Sequence, residues 1–472
     1  MVDQQFLEEA EPLVTAPPLA GAVRLVDFWT FTPDQRRVIL QKAIAEAHTW
    51  HFERNLSYRN TVAARGVGPM IHPEDLPRLL RPTAQTFKSY IDILGTPFPS
   101  DCPRLFLNWL ADQLSIEIPR QRVDQLRSRY GSLETLLSDC ERIFADFGLE
   151  ISTSSGTSGR STIMVRDQDS INKTVESFYL AFQRYLEMQA DHRAVFIMPR
   201  KARIAMVRMA SFSVKRVGIP NDHIHFTIPF PAAPDMVRIR AGRTYRPGLQ
   251  GIIERRLLNP FMTWMNEHYV NPQAVQRTIK LLKHVQSQGE KLLLFGGWVQ
   301  LHAVALELQR TGQIIRLAPG SLLGSGGGLK EHYATPLPSI RADLRRVITL
   351  TNGDILPIKD TYGMAEGNWA AMQCSSGNYH IPPWVYAVTL DENGSFISKP
   401  DSEGLLAFYD PFGGGKLFPA FFRTADRVRL VNSDASDYPA QPCPCGESGA
   451  YIAQDSIQRV DLIEEAGCAA QT

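Results

Sequence analysis

Three short apolar runs, each cut off by a chain breaker, limit what this chain can fold into. Ala194-Val195-Phe196-Ile197-Met198 ends at Pro199, and Lys291-Leu292-Leu293-Leu294-Phe295 ends at Gly296-Gly297. Arg346-Val347-Ile348-Thr349-Leu350-Thr351 ends at Asn352-Gly353. Runs of this length and content read as strands. Between them, residues 170–189, 272–288 and 298–310 carry apolar residues at helical spacing. Strands alternating with helices predict an α/β core with a largely parallel sheet.

The flanks differ. Pro33-Asp34 can open a helix through Ile39, Leu40, Ala43 and Ile44, and residues 105–114 and 123–143 repeat that habit. This predicts a helical N-terminal part, residues 1–145, packed on a core of residues 146–455 that is followed by a tail, residues 456–472. From Trp384 the runs shorten into hairpins (385–390, a turn at Asp391-Glu392-Asn393-Gly394, then 396–398), which predicts a small antiparallel β subdomain. Lys+Arg 50 against Asp+Glu 49 gives a net charge of +1, so nothing points to nucleic acid or an anionic membrane surface. The acidic first residues lack a secretory pattern, and the apolar stretch 292–308 is broken by Gly296-Gly297, Gln300, His302 and Glu307. Six cysteines in 472 residues do not make a disulfide scaffold, so the expectation is a cytoplasmic protein.

Four motifs carry chemistry. Ser154-Ser155-Gly156-Thr157-Ser158-Gly159-Arg160-Ser161-Thr162 is almost entirely Gly, Ser and Thr and is clamped between apolar Leu149-Glu150-Ile151 and Ile163-Met164-Val165. Glycines let several N–H groups converge, hydroxyls add donors and Arg160 adds a cation, which suits phosphates. A flexible linker has similar composition, but the strand-like flanks favour a phosphate loop. The second motif is Gly324-Ser325-Gly326-Gly327-Gly328-Leu329-Lys330. The third is Tyr362-Gly363-Met364-Ala365-Glu366, and the fourth is Arg423-Thr424-Ala425-Asp426. Singly, each is also an ordinary turn, cap or strand-edge charge.

In this order the four motifs resemble those of the acyl-adenylate-forming superfamily of acyl-CoA ligases, luciferases and peptide-synthetase adenylation domains. The correspondence spans residues 154–461 and is nearest to phenylacetate-CoA ligase-like enzymes and the acyl-protein synthetases of bacterial luminescence. It implies the α/β large-domain fold of those enzymes, with layered sheets and a small antiparallel β subdomain. It also implies an ATP site. Ser154, Ser155, Gly156, Thr157, Ser158 and Gly159 would hold the β- and γ-phosphates. Gly326, Gly327 and Gly328 would line the adenine, with Tyr362, Gly363 and Met364 beside it and the Tyr362 ring stacked on it. Glu366 would bind Mg²⁺, and Asp426 would hold the ribose hydroxyls. Ile457-Gln458-Arg459-Val460-Asp461 resembles the hinge of the family.

The departures are specific. Met364 stands where the family usually has Thr, Ala425 where it has Gly, and Gln458 where it has Gly. The chain stops eleven residues after Asp461, so the expectation is that the mobile lysine-bearing domain is absent. Thr157, Arg160, Glu366 and Arg459 are then the candidate catalytic residues, with Lys330 or a partner protein as other sources of a cation. Trp298, Gly326, Gly327, Tyr362 and Met364 are expected to shape an apolar acid pocket, with Trp298 shortening it in favour of an aromatic acid over a fatty one. Cys374, His380, Cys443 and Cys445 meet the ligand count of a closed Zn²⁺ site, and two unrelated buried cysteine clusters are the alternative. Cys468, in a tail of small residues, is a possible acyl acceptor or an inert thiol. The reading is ATP- and Mg²⁺-dependent activation of a carboxylic acid as its acyl-adenylate, followed by transfer to a thiol, amine or hydroxyl. The rivals are an acyl-protein synthetase-type subunit of a larger acyl-transfer complex and a non-catalytic nucleotide-binding scaffold.

Overall fold

The computed structural model describes residues 24–154, 162–200, 202–231, 233–242, 244–329 and 333–460, with residues 120, 206 and 210 described in their backbone only. Two compact units emerge, one within residues 1–152, 162–177 and 365–472, the other within 153–161 and 178–364.

The second unit is the parallel one. Its strands run in the order Ile358–Gly363, Leu322–Gly326, Lys291–Phe295, His192–Pro199, Ile224–Ile228, and every neighbouring pair is parallel. Trp298–Arg310 forms the helix expected of it, and Asn271–Gln288 and Leu337–Val347 cover the same core. Leu292, Leu294, Leu301, Val304, Leu308, Ile340 and Leu344 meet there as an aliphatic cluster. Gly324 has a steric reason in this sheet. A Cβ on it would lie 2.3 Å from the ring of Phe295, which stacks on Phe196 with centroids 5.4 Å apart.

The first unit joins helices to an antiparallel sheet. Its strands run Tyr386–Leu390, Asp401–Asp410, Ala420–Val431, Tyr451–Ile452, Tyr379–His380, Ala370–Gln373. Pro33–Arg54 begins at a capping box in which Thr32 and Gln35 bond each other reciprocally. The helical part is fastened to the sheet by polar contacts as well as packing. Arg81 donates to the Pro419 carbonyl at 2.6 Å, and the Tyr409 hydroxyl donates to the Leu76 carbonyl at 2.6 Å. Arg81-Pro82 also adds a parallel pairing to Phe422 and Arg423.

Three expected elements differ. The helical run over 123–143 is divided into Arg120–Val123 and Leu133–Ala145, because Ser132 caps a new helix by accepting from the Thr135 N–H. The strand over 346–351 is only Ile348–Leu350, since Arg346 and Val347 complete the preceding helix. The hairpin partner over 396–398 is reduced to one bridge, Leu390 to Phe396.

Candidate functional site

In the parallel unit the expected site residues gather at one edge. Gly296-Gly297, Gly326-Gly327-Gly328 and Tyr362-Gly363-Met364 follow or end three adjacent strands, Lys291–Phe295, Leu322–Gly326 and Ile358–Gly363. All three strands point the same way, and Thr361 lies opposite Gly326. The carboxyl edge of a parallel sheet is where open α/β folds bind ligands. Gly327 and Gly328 have φ of +84° and +68°, a conformation that a β-carbon would strain. Tyr362, Gly363 and Met364 are half-buried at this edge.

Trp298 does not stand at that edge as a wall. It is 1% exposed and belongs to the aliphatic core, with the Arg341 guanidinium 4.8 Å above its ring. Its place at the first turn of an amphipathic helix turns the indole toward the other core helices. His302, between the Tyr333 hydroxyl at 2.7 Å and Asp343 at 3.1 Å, is likewise a packing residue.

In the antiparallel unit the centre is Glu366, which is buried and accepts a 2.5 Å hydrogen bond from the Thr162 hydroxyl. The turn that carries it is tied down by Arg166, itself 1% exposed. Arg166 donates to the Ala365 carbonyl at 2.7 Å, to Thr174 Oγ1 at 3.0 Å and to Asn368 Oδ1. Asp410 is buried in the same unit. Its carboxyl is pushed up to about 6 by burial, an effect opposed by the Gly413 and Phe412 N–H groups and by the charge of Arg166. Thr162, Arg166 and Asn368 were not singled out as site residues from sequence. The signal was an arginine inside the otherwise buried apolar strand Ile163–Asp167, an expensive placement unless it anchors something.

Asp426 and Arg459 are also brought together. They are paired across Ala420–Val431 and Gln458–Arg459, with Arg459 Nε 4.0 Å from Asp426 Oδ1. Of the expected phosphate loop, Ser154 and Thr162 are described, and Ser154 follows Thr153, whose N–H donates to the Arg203 carbonyl. Ser155, Gly156, Thr157, Ser158, Gly159 and Arg160 lie outside the described residues, as do Lys330, Asp461 and Cys468.

Cys374, His380, Cys443 and Cys445 form one cluster, their ligand atoms all within 4.8 Å of one another. Cys374 Sγ and Cys443 Sγ are 4.0 Å apart, and Cys445 Sγ and His380 Nε2 are 3.3 Å apart. Tetrahedral zinc, with Zn–S near ~2.3 Å and Zn–N near ~2.05 Å, sets those spacings near ~3.8 and ~3.6 Å. The donor set fits. Cys374 and Cys443 each open a turn with a left-handed glycine: the Gly377 N–H donates to the Cys374 carbonyl and the Gly446 N–H to the Cys443 carbonyl.

Most of the chain is similar to solved structures of 2-hydroxyisobutyryl-CoA ligase. In an open conformation with 2-HIB-AMP and CoA the TM-score is 0.57 at 12% identity, covering 92% of this chain and 77% of that one. In the thioesterification state it is 0.55 at 11% identity, covering 92% and 70%. The fold is that of the adenylate-forming ligases. Residues 260–472 match the family model described as acyl-protein synthetase, LuxE. The long-chain-fatty-acid–luciferin-component ligase of Vibrio harveyi is 22% identical over 287 residues, 61% of this chain and 64% of that protein. The same-named ligase of Aliivibrio fischeri is 23% identical over 198 residues, 41% of this chain and 48% of that protein. The chain thus matches less than two thirds of the length of either relative. Among the described residues, no helix is long and apolar enough to cross a membrane.

Proposed function

We propose that the chain activates a long-chain fatty acid with ATP, forming an acyl-adenylate and pyrophosphate, and then passes the acyl group to a thiol. The observation that carries this reading is the row of glycine turns and Tyr362 at the carboxyl edge of three adjacent parallel strands, on an adenylate-forming fold. The likeness to the long-chain-fatty-acid–luciferin-component ligases favours a fatty acid. The burial of Trp298 removes the argument for a pocket cut short by its ring.

In this reading a carboxylate oxygen of the acid attacks the α-phosphorus in line. The new O–P bond forms as the bond from the α-phosphorus to the bridging oxygen breaks, and that electron pair leaves with pyrophosphate. Gly326, Gly327 and Gly328 admit the adenine closely because they have no side chains, and Tyr362 offers a stacking face. Asp426 accepts from the ribose hydroxyls, oriented by its pairing with Arg459. Residues 154–159 supply N–H and hydroxyl donors to the phosphates, and Arg160 offsets charge on the leaving group. Glu366, oriented by the Thr162 hydroxyl and held in a turn that Arg166 ties down, is the carboxylate that would hold Mg²⁺, a hard cation that takes oxygen ligands. Bound magnesium would neutralise charge on the phosphates. Most of the rate enhancement then comes from positioning and preorganised donors.

Cys374, His380, Cys443 and Cys445 are read as a structural zinc site. They would bond the loop after Glu366 to the loop before Tyr451, with no open position for substrate. The match of residues 260–472 favours a protein thiol over CoA as acceptor, and Cys468 is one such thiol.

The test is ATP–pyrophosphate exchange driven by saturated fatty acids against aromatic acids. Exchange stimulated by long-chain acids, and lowered ~100-fold or more in Glu366→Gln and in Asp426→Ala, is the expected result. Wild-type rates in both variants would refute the site. Mass spectrometry after incubation with ATP and acid reads the acceptor: an acyl adduct on Cys468, absent in Cys468→Ser, is the outcome expected if that thiol accepts.

A further inference from the structure

A continuous helical rod, residues 248–288, crosses the parallel unit, and its first half is built differently from its second. Two widened π-turns, Glu254–Leu258 and Asn266–Val270, interrupt it. Each immediately precedes an Asn-Pro pair, Asn259-Pro260 and Asn271-Pro272, twelve residues apart. Proline removes an N–H and crowds the carbonyl four residues back, and a π-turn relieves that clash without ending the helix. The Asn259 and Asn271 N–H groups accordingly reach back five residues, to the Glu254 and Asn266 carbonyls.

The rod is held firmly on one side. Glu254 is 3% exposed and accepts from Arg238 at 2.8 and 2.9 Å and from the Arg246 N–H at 2.9 Å. Gly251 lies so close to the Arg246 carbonyl that a Cβ would be 1.6 Å from its oxygen. The other side carries Leu249, Ile253, Leu257, Phe261 and Trp264, each between 47% and 80% exposed. Their spacings of four, four, four and three residues make one stripe along the helix. Phe261 stacks on Trp264, and Trp264 stacks on His268 with centroids 5.3 Å apart. With Tyr269 at its end the stripe covers about 30 Å of helix, at ~1.5 Å per residue. Exposed large apolar patches of this kind mark interaction surfaces.

We propose that this stripe pairs antiparallel with the same stripe on a second copy of the chain, making a two-fold dimer. The charges on the rod argue for that occupant. Arg256 and Glu267 are both exposed and are eleven residues apart, about three helical turns, so they lie on the same flank of the stripe. Their midpoint falls between Phe261 and Met262. In an antiparallel pair centred there, Arg256 of each copy meets Glu267 of the other twice, once at each end. A two-fold contact requires this self-complementarity, since residue i must meet j while j meets i. The same register brings the two Phe261 rings together at the axis and sets Ile253 and Leu257 of each copy beside residues 270 and 266 of the other, next to the end of its aromatic half, while Leu249 extends past the partner's stripe. The dimer does not depend on the proposed acid activation.

Sedimentation equilibrium of the full chain at micromolar concentrations tests it, with circular dichroism confirming that each variant is folded. The expected result is a dimer that Trp264→Glu converts to monomer and that Arg256→Glu weakens ~10-fold or more by setting like charges together. The charge swap Arg256→Glu/Glu267→Arg should restore it. A wild-type monomer, or a dimer indifferent to Trp264→Glu, would overturn the proposal. A swap that fails to restore would overturn the antiparallel register. A monomer that binds vesicles of mixed phosphatidylcholine and phosphatidylglycerol through Trp264 would overturn it in favour of a membrane surface.

Discussion

Glu366 and Thr162 are 204 residues apart in the chain and one hydrogen bond apart in the fold. A hydroxyl donating to a carboxylate is worth about 1.5–3 kcal/mol, enough to fix the rotamer of the acid. Thr162→Val keeps the shape and removes the donor. It is expected to lower pyrophosphate exchange ~10–100-fold while shifting the melting temperature little, which steady-state kinetics and calorimetry would check together. Arg166→Met is different, because it strands the Ala365 carbonyl and removes the cation that faces buried Asp410. It should cost about 3–5 kcal/mol of stability, read by urea denaturation. A second buried acid gives a pH test. Asp434 is pushed up to about 6 by burial, against the Ala387 N–H that it accepts from and the charges of Arg36 and Arg37. A raised acid binds more protons folded than unfolded, so its effect on stability worsens as pH rises through the window from about 4 to 6. Asp434→Asn should therefore melt higher than wild type at pH 7, by an amount on the order of 2 kcal/mol, with the difference fading below pH 4. Glu366 was legible in sequence through Tyr362-Gly363 and its spacing from them. Thr162 and Arg166 were not, because a hydroxyl ahead of a strand and an arginine within an apolar one do not say which turn, 200 residues away, they will bind.

Elements whose pattern and punctuation agree were read from sequence to the residue, and Trp298–Arg310 is the clearest case. Glycines precede it and its apolar positions keep one period. Where two signals overlapped, the helix won. Val347 is β-branched and reads as strand, yet it completes a buried stripe with Ile340 and Leu344, so the helix keeps it until Ile348 turns extended. Gly324 shows what pattern alone conceals. In sequence it is the first glycine of a nucleotide-like cluster, and in the sheet it is the seat of the Phe295 ring. Gly324→Ala should destabilise the chain by about 1–3 kcal/mol through overpacking, although alanine prefers strands over glycine. Phe295→Leu in the same chain should recover part of that loss, measured as the shift in the urea midpoint. If Gly324→Ala is neutral, the ring has room that the geometry denies it.

At the scale of the molecule, the antiparallel unit is assembled from three separated stretches of chain, and no local pattern reports that. Residues 162–177 and 365–472 share a unit with the N-terminal helices because side chains such as Arg81, Tyr409 and Arg166 bind across those separations. Such long closures cost chain entropy, and a cross-link within the unit offsets part of it. The cysteine and histidine cluster is placed to be one, since Cys374 and Cys443 are 69 residues apart. Its two short strands, Tyr379–His380 and Tyr451–Ile452, are too brief to hold each other by ladder bonds alone. If zinc is bound there, elemental analysis should find one equivalent per chain, and Cys443→Ser should lose it. Stripping the metal with a chelator should then lower the melting temperature. It should also raise amide hydrogen exchange in residues 370–380 and 451–452 while leaving Lys291–Phe295 and Leu322–Gly326 protected. Protection lost evenly from both sheets would mean that the cluster holds more than its own unit together. Protection unchanged in both would mean that four well-placed ligands carry no metal that matters to the fold.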